Sequence, residues 1–552
     1  MNKFHRILFL WAGLLLLGGT GDLPVRADEA VQPQIRALWV DAFREGAKSP
    51  TQIDRLIQNA VTANLNTLIV QVRRRGDAYY NQSIEPRTED LDLPIGFDSL
   101  QYLIDKAHAN RLEVHAWLNT LVAWNSSVPP KDPNHVWNLH GPGASDRDTW
   151  VSYYRSSNKT EALTPSFYLD PGNPAVVDYT AAVYLNVLKN YDVDGIHLDY
   201  SRYAGIGWGY NPTSVARYNA RFERAGMPAS DDPQWAEWRR EQTANLVRKI
   251  YLQAIAVKPN LKVSSAVISW GDGPVAEGDW EKSRAYAQVF QDWRRWLTEG
   301  IIDLVIPMNY FDEWNPAHQL WYNQWIEWEK DHSSNRQIVI GIGNYSQYIE
   351  DTLAQISRAQ APSAAGNYTA GVCLFSYGAS HLYSNNDYKE NGPARRLPRQ
   401  PHQYRPDTND WLFELLARPG GYTDPVLNSQ IATVPVFPTP AAIPEMPWKT
   451  RPVNGYLMGT VAGPDGAVYD HLKLTVESWE APGSDVANPN PAKIRREVYT
   501  DGSGWFGLAE LPAGHYLVWI DKTDFAGQRL LAVKIEAGRV SEVNFRSVQG
   551  SL

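Results

Sequence analysis

The sequence contains a single cysteine, Cys373, among its 552 residues. One cysteine cannot form a disulfide within the chain, so the fold must depend on a hydrophobic core of its own. Cys373 lies in an apolar run, where a cysteine usually serves packing, and we do not expect thiol catalysis. The sequence also lacks a phosphate-binding Gly-Lys-Ser/Thr loop, a Gly-x-Ser-x-Gly elbow and any His, Cys or carboxylate cluster with metal-ligand spacing. We therefore predict no metal and no cofactor.

Excess positive charge and long hydrophobic runs are also missing. With 52 basic and 61 acidic residues the chain is mildly acidic, which argues against nucleic acid or an anionic membrane as its partner. Its longest apolar run, Ile7–Leu17, follows Lys3 and Arg6 and precedes the small residue Ala27. This pattern predicts a signal peptide over residues 1–27 rather than a membrane span. We expect a secreted or periplasmic protein.

Strand-like and helix-like segments alternate along most of the remaining chain. Eight apolar runs predict strands at Ile35–Val40, Thr67–Arg73, Glu113–Asn119, Gly195–Asp199, Lys262–Ser269, Leu304–Asn309, Ile338–Ile342 and Gly371–Ser376. Helical periodicity separates them at Pro50–Val61, Asp98–Asn110, Pro174–Tyr191, Gln234–Val257, Ala285–Gly300 and Ile349–Ala359. This order predicts an α/β fold, a (β/α)8 TIM-type barrel over residues 34–386.

The composition changes after the barrel. Residues 387–452 are rich in Pro and Arg, and we interpret them as an extension and a semi-rigid linker, with one helix near Asp410–Ala417. Residues 453–548 alternate in short strands with Gly-rich turns, which predicts a small antiparallel β-sandwich. The stretch Thr500–Val518 resembles carboxypeptidase regulatory-like (transthyretin-like) modules, which implies a binding or spacer role.

The fourth predicted strand ends in a carboxylate. Strand side chains alternate with period 2, so Ile196 and Leu198 share one face while His197 and Asp199 share the other. In parallel barrels the C-terminal strand ends carry the chemistry. We therefore expect Asp199 at the mouth, as nucleophile or as stabiliser of an oxocarbenium-like state. His197 either orients that carboxylate or is a satisfied interior histidine.

Polar and aromatic residues recur at the other strand ends. The sequence has 22 Trp and 29 Tyr, whose flat rings suit the apolar faces of sugars. Trp235, Trp238, Trp293 and Trp296 are the exception, because their helical spacing predicts core packing. The expected substrate-binding residues are Arg36, Arg73, Asp77, Trp117, Asn119, His197, Tyr200, Trp270, Asp272, Asn309, Tyr310 and Tyr377.

Carboxylates, amides and aromatics at a barrel mouth are typical of glycoside hydrolases. In these enzymes one carboxyl donates a proton to the leaving oxygen, and another attacks the anomeric carbon or activates water. We choose Glu313 or Asp312, in the loop after the sixth strand, as proton donor, with Asp272 in reserve. Ordinary loop solvation explains Asp312 and Glu313 equally well.

Seven stretches of the chain resemble the glycoside hydrolase-like family 10, an exported bacterial group of glycosidases. They are Ile35-Arg-Ala-Leu-Trp-Val40, Gln71-Val-Arg-Arg-Arg-Gly-Asp-Ala-Tyr-Tyr80, His115-Ala-Trp-Leu-Asn119, Leu169-Asp-Pro-Gly-Asn-Pro174, Asp194-Gly-Ile-His-Leu-Asp-Tyr200, Gln291-Asp-Trp-Arg-Arg-Trp-Leu297 and Asp303-Leu-Val-Ile-Pro-Met-Asn-Tyr310. The resemblance implies a barrel hydrolase of amino-sugar-containing cell-wall glycans, such as peptidoglycan strands. Many relatives carry two consecutive acids where this chain has Asp199 and Tyr200, so the second acid is absent here.

Other readings remain open. Chitinase-like barrels need a Glu where this chain has Ser201, so that mechanism lacks its acid. Barrels that hydrolyse exopolysaccharide of the poly-glucosamine type also depend on a fourth-strand Asp and remain an alternative. So does a catalytically silent glycan-binding protein. In each case we expect a polysaccharide partner, a monomer, and a sandwich that contacts cell-wall glycan or protein.

Overall fold

The computed structural model describes residues 32–145, 148–156, 159–161, 167–386, 398–399, 403–479, 493–522 and 525–547. Eight parallel strands form a closed barrel in which each strand pairs with its neighbours in chain order. They are β1 (Ile35–Val40), β2 (Thr67–Arg73), β3 (Glu113–Asn119), β4 (Gly195–Asp199), β5 (Lys262–Val267), β6 (Leu304–Asn309), β7 (Gln337–Ile342) and β8 (Gly371–Phe375). The predicted (β/α)8 fold is confirmed, with strand bounds within two residues.

A helix follows every strand. These helices are α1 (Pro50–Thr62), α2 (Ser99–Ala109), α3 (Pro174–Asn190), α4 (Pro233–Val257), α5 (Trp293–Glu299), α6 (Pro316–Asp331), α7 (Ile349–Gln360) and α8 (Trp411–Ala417). Helix α6 was not predicted from the sequence, and α5 was predicted as one helix with the separate short helix Arg284–Ala287. The eighth helix lies beyond residue 386 and packs against α1, so the barrel extends further along the chain than predicted.

Local sequence explains how these helices begin. Ser49 caps α1, since its side chain accepts a hydrogen bond from the Gln52 N–H, and Pro50 occupies the first turn. One face of α1 then buries Ile53 and Leu56 against the outside of the barrel. The same arrangement of an N-cap followed by Pro recurs at the starts of α3, α4 and α6.

Residues on the barrel strands divide between two cores. The outer faces pack on the helices, and the predicted core residues Trp235, Trp238, Trp293 and Trp296 are all buried. The inner faces form a separate cluster along the barrel axis, which comprises Ile35, Ala37, Trp39, Ile69, Trp117, Ala266, Leu304, Ile306, Val339, Cys373 and Met446. The interior is therefore filled by side chains and is not a channel.

The Pro-rich segment closes the N-terminal end of the barrel. Met446, from this segment, belongs to the inner cluster and is 3% exposed. The Gln34 N–H donates to the Ala442 carbonyl at 2.8 Å, and the Trp448 indole N–H donates to Asp303 at 2.7 Å. The segment that we interpreted as a spacer is thus a floor of the barrel.

Arg36 belongs to this floor and not to the mouth. It is the second residue of β1, so it lies at the N-terminal end of the barrel. Its Nη1 donates to the carbonyls of Thr439 at 2.6 Å and Asn64 at 3.3 Å, and its guanidinium lies 4.4 Å from the Phe437 ring centroid. The expectation that Arg36 binds substrate is wrong.

The C-terminal strands form two facing sheets. Their bounds are β9 (Asn454–Ala462), β10 (Lys473–Ser478), β11 (Arg495–Tyr499), β12 (Trp505–Pro512), β13 (Gly514–Ile520), β14 (Leu530–Ile535) and β15 (Val540–Arg546). One sheet has the order β12-β9-β15 and the other β11-β10-β13-β14. All pairs are antiparallel except β9 with β15. This is the predicted β-sandwich, with one parallel pair added.

The sandwich is docked on α4 of the barrel. Lys249 on this helix donates to Asp501 at 3.2 Å and to Ser503 at 2.9 Å, both in the turn before β12. A Cβ on Gly507 would lie 2.4 Å from Leu252 Cδ1, so any larger residue would require the Leu252 side chain to move. Ion pairs and close packing join the two domains.

No helix in the described part of the chain is both long and apolar enough to cross a membrane. The predicted signal peptide lies outside the described residues.

The floor gives a stability prediction. Met446→Ala removes a buried side chain from the inner cluster, and we expect the free energy of unfolding to fall by about 2–4 kcal/mol. Met227→Ala is the matched control, because Met227 is 40% exposed, and it should change little. Denaturant unfolding of both variants measures the difference. Equal stability of the two would contradict the assignment of the segment as a floor.

Candidate active site

Asp199 ends β4 at the C-terminal mouth of the barrel. The next residue, Tyr200, has a left-handed backbone with φ of 54°, which turns the chain sharply. Its N–H then points back and donates to Asp199 Oδ1 at 2.7 Å. The Asp199 carbonyl accepts from the Thr120 N–H at 2.6 Å. One hydrogen bond thus holds the backbone of Asp199 and the other holds its carboxyl group, and the residue is 6% exposed.

The pKa of Asp199 is raised to about 6, because burial penalises the charged carboxylate. The positive charge of Arg202, the N–H of Tyr200 and the indole of Trp117 oppose this rise only in part. No ion pair to Asp199 is present among the described residues. Asp199 is thus a carboxyl that titrates near neutral pH, as functional carboxyls in clefts often do.

Aromatic and amide side chains surround Asp199 at the top of the barrel interior. Tyr310 stacks on Phe375 with ring centroids 5.3 Å apart, and burial together with the charge of Asp199 raises the pKa of Tyr310. Trp117 donates its indole N–H to Asn119 Oδ1 at 3.1 Å. Trp117, Asn119 and Tyr310 lie in this group, and their binding of substrate stays a prediction, whereas Phe375 was not identified from the sequence.

A second aromatic group forms the rim beside Asp199. The guanidinium of Arg202 lies between two rings, 4.8 Å from the Tyr200 centroid and 5.2 Å from the Trp270 centroid. Tyr168 extends this rim, with its ring 6.1 Å from that of Tyr200. Trp270 is 39% exposed, and Asp272 follows it as an exposed carboxylate. Arg202 and Tyr168 were missed because neither ends a barrel strand.

His197 lies one layer below the mouth and is fully buried. Its Nδ1 is 2.8 Å from the Ser264 hydroxyl, and its Nε2 accepts the Trp39 indole N–H at 3.1 Å. Burial holds the pKa of His197 well below its usual value, so the ring is neutral. Both ring nitrogens have hydrogen-bond partners in the barrel interior. His197 is therefore a satisfied interior histidine, and the expectation that it contacts substrate is wrong.

Arg73 and Asp77 build the loop after β2. Arg73 is 2% exposed and binds the Glu85 carboxylate through two nitrogens at 2.7 and 2.8 Å. Asp77 accepts from the Thr88 hydroxyl at 2.8 Å and from the Arg75 N–H at 3.1 Å. Neither side chain has an open position for a sugar, so the expectation that they bind substrate is wrong.

Strand alternation places Asn309 outside the barrel. Because Tyr310 points inward, the preceding residue faces the helices, where its amide donates to Glu329 on α6 at 2.8 Å. Burial raises the pKa of Glu329 well above its usual value. Asn309 therefore holds a helix and does not contact substrate. Glu329 itself was not identified from the sequence.

The two carboxylates chosen as proton donors face other partners. Glu313 is bound by both terminal nitrogens of Arg358 on α7, at 2.9 and 2.5 Å, and by the amide of Gln355 at 3.2 Å. Asp312 is paired with His318 at 3.4 Å. These contacts point both carboxylates toward helices α6 and α7. They favour structural roles for both residues.

Tyr377 is also turned away from the mouth. Its hydroxyl accepts a hydrogen bond from Asn59 on α1 at 3.3 Å, and its ring packs on Phe413 of α8 at 5.4 Å. The residue follows the end of β8 and joins the two helices that close the barrel. The prediction that Tyr377 binds substrate is wrong.

Two further observations limit the chemistry of the site. Asp170 has its pKa raised to about 6 by burial, but it accepts from the Gly172 N–H at 2.9 Å and from Ser214 at 3.0 Å as a turn builder. In the described residues no three His, Cys, Asp or Glu side chains come together as a metal-binding group. Asp199 is the perturbed carboxyl that borders the aromatic rim.

Comparison with known proteins gives several relatives. The chain is 25% identical over 352 residues to glycosyl hydrolase YngK of Bacillus subtilis, covering 60% of this chain and 64% of that protein. It is 26% identical over 350 residues to glycosyl hydrolase DigH of Escherichia coli, covering 58% and 75% respectively. Among solved structures, the glycoside hydrolase domain of PgaB (BpsB) from Bordetella bronchiseptica has a TM-score of 0.44 and 16% identity, covering 64% of this chain and 97% of that one.

The match to YngK spans less than two thirds of that protein's length. A family model described as glycosyl hydrolase-like 10 matches residues 34–358, from the start of β1 to the end of α7. This span is more than half of the chain and includes Asp199, the aromatic rim and seven of the eight barrel strands. The chain therefore belongs to the glycosyl hydrolase-like 10 family.

Proposed function

We propose that this protein is an exported glycoside hydrolase that cleaves amino-sugar-containing cell-wall glycans, with Asp199 as its proton-carrying carboxyl. The observation that carries the proposal is a carboxyl with a pKa of about 6 at a barrel mouth lined by aromatic rings. A general acid works best when its pKa lies near the working pH. The buried environment thus favours Asp199 as proton donor rather than as the nucleophile that the sequence suggested.

A glycosidase of this kind also needs a second group to attack the anomeric carbon or to activate water. Asp272 is our choice for it. It lies in the loop after β5, beside β4 in the barrel, and is exposed. Its exposed side chain can reach a bound glycan or a water molecule, as a base or a nucleophile must. Different environments would then assign different roles to two chemically identical groups.

The rim supports a sugar substrate. Tyr168, Tyr200 and Trp270 offer ring faces for the apolar faces of hexoses, and Tyr310 adds a hydroxyl beside Asp199. Relatives named as glycosyl hydrolases support hydrolysis, whereas the cell-wall substrate comes from the family resemblance alone. Exopolysaccharide hydrolysis and silent glycan binding are therefore outcomes that the experiment must distinguish.

The first prediction concerns turnover. Asp199→Asn keeps the shape of the side chain but has no proton to donate, so we expect kcat to fall by about 10²–10⁴-fold while glycan binding persists. The experiment incubates the mature protein with peptidoglycan strands, with and without their peptides, and with poly-glucosamine. Mass spectrometry then identifies the released fragments.

Release of fragments from poly-glucosamine alone would transfer the proposal to exopolysaccharide. Binding without release from any of these polymers would support the silent glycan-binding alternative. Asp192→Asn is the matched control, because Asp192 pairs with Lys258 at the protein surface and should leave turnover unchanged.

The second prediction concerns pH. Because the folded pKa of Asp199 is about 6 and its ordinary value is 3.8, the folded protein binds the extra proton between these values. The stability that the protonated Asp199 contributes is therefore fully present below about pH 4 and is lost as the pH rises to about 6, and the proton donor is lost as the pH passes 6. We expect kcat to decline above about pH 6, and Asp199→Asn to be more stable than the wild type at pH 7 by about 2–3 kcal/mol. Below pH 4 the two proteins should be equally stable.

A third prediction separates structural from catalytic carboxylates. Glu313→Gln weakens the contact with Arg358, so we expect lower stability, by about 1–2 kcal/mol, with kcat nearly unchanged. Glu536→Gln, at an exposed pair with Lys534, is the control and should alter neither quantity. A large loss of kcat in folded Glu313→Gln would restore Glu313 as the proton donor.

A further inference from the structure

Arg202 is a buried arginine at the rim with little to bind. The residue is 7% exposed, and its guanidinium lies between the rings of Tyr200 and Trp270. Its Nη1 donates to the Tyr203 carbonyl at a long 3.4 Å, and its Nε is buried without a hydrogen-bond partner. Within the described ranges, no carboxylate lies within ion-pair distance of this guanidinium.

Two other buried arginines in the described part of the chain have their hydrogen-bonding capacity used. Arg73 holds the Glu85 carboxylate with two nitrogens, and Arg239 donates to the carbonyls of Ile206, Trp208 and Ser230 at 2.7–2.9 Å. A buried guanidinium without such partners is unfavourable, because it loses hydration without gaining hydrogen bonds. The missing partner of Arg202 therefore points to a ligand.

Arg202 lies at the barrel mouth beside Asp199, so a ligand of Arg202 would lie close to this carboxyl. Its guanidinium lies 4.8 Å from the ring centroid of Tyr200, the residue that directly follows Asp199, and its charge lowers the pKa of Asp199. Trp270, which stacks on Arg202, is 39% exposed and opens this place to solvent. A group bound to Arg202 would thus lie beside the bond that Asp199 is proposed to cleave.

We propose that Arg202 binds a carboxylate carried by a sugar of the glycan, next to the cleaved bond. The proposal rests on the proposed function and extends it to a specificity-determining residue. A guanidinium matches a carboxylate with parallel hydrogen bonds, and the two flanking rings hold its plane in position before the ligand arrives. The substrate class is a glycan whose sugars bear free acids, either uronic acids or ether-linked acids.

The test uses the full mature chain and two forms of one substrate. Peptide-free cell-wall glycan strands carry free sugar carboxylates, and carbodiimide coupling to methylamine converts these into neutral amides. We expect the wild type to have a kcat/KM about tenfold or more higher for the acid form. In Arg202→Gln this preference should disappear, and Arg202→Lys should restore it in part. Arg221→Gln, which breaks a surface pair with Glu241, should keep the full preference.

A second readout does not depend on turnover. In the Asp199→Asn background, calorimetry should show tighter binding of the acid form, and adding Arg202→Gln should remove the difference. Equal treatment of both forms by the wild type would overturn the role of Arg202 while leaving the proposed hydrolysis intact. The proposal also fails if Arg202→Gln keeps the preference and only shifts the pH profile upward, because Arg202 would then merely adjust Asp199. Absence of cleavage with retained, carboxylate-dependent binding would instead overturn the proposed hydrolysis alone.

Discussion

Closure of the eight-stranded sheet fixes which side of each strand faces the barrel axis, and the site depends on that constraint. Because neighbouring strands are held in register all around the ring, no strand can rotate to exchange its two faces. Asp199 and Tyr310 therefore point into the mouth, whereas Asn309, one residue before Tyr310, binds a helix. Two consecutive residues thus have different roles: Tyr310 can contact substrate, and Asn309 binds α6.

The same closure produces the electrostatics of the site. A filled interior leaves little water around Asp199, so its pKa rises to about 6 with the opposing interactions too weak to cancel the effect. The left-handed backbone of Tyr200 adds a further conformational demand at this point. Both features are unfavourable for folding and are compensated by the apolar layers below, where even His197 is neutral and fully hydrogen-bonded. A buried carboxyl next to a strained backbone lowers stability, and such features are typical of functional sites.

The strands, their order and the position of Asp199 could be predicted from the sequence, because periodicity is a local property that a barrel strand expresses directly. Contacts between distant segments could not. Glu313 looked free for catalysis, but its partner Arg358 is 45 residues further on. The Pro-rich stretch suggested a spacer, because a high proline content indicates a stiff chain. Composition does not show that this chain packs on the N-terminal end of the barrel. Helix α6 was missed although Asn315 and Pro316 signal its start.

The arginines show what distinguishes a structural from a functional polar residue in this fold. Arg36 and Arg73 were predicted from the sequence to bind substrate and Arg202 was not, because residue type alone cannot rank them. Arg36 is anchored by carbonyls of the floor and Arg73 by a carboxylate, so each completes a structure that is already present. Arg202 is also buried, yet its guanidinium lies between two aromatic rings and its Nε has no acceptor. The contacts of each guanidinium, which only the folded chain reveals, therefore distinguish the structural roles of Arg36 and Arg73 from the open position of Arg202.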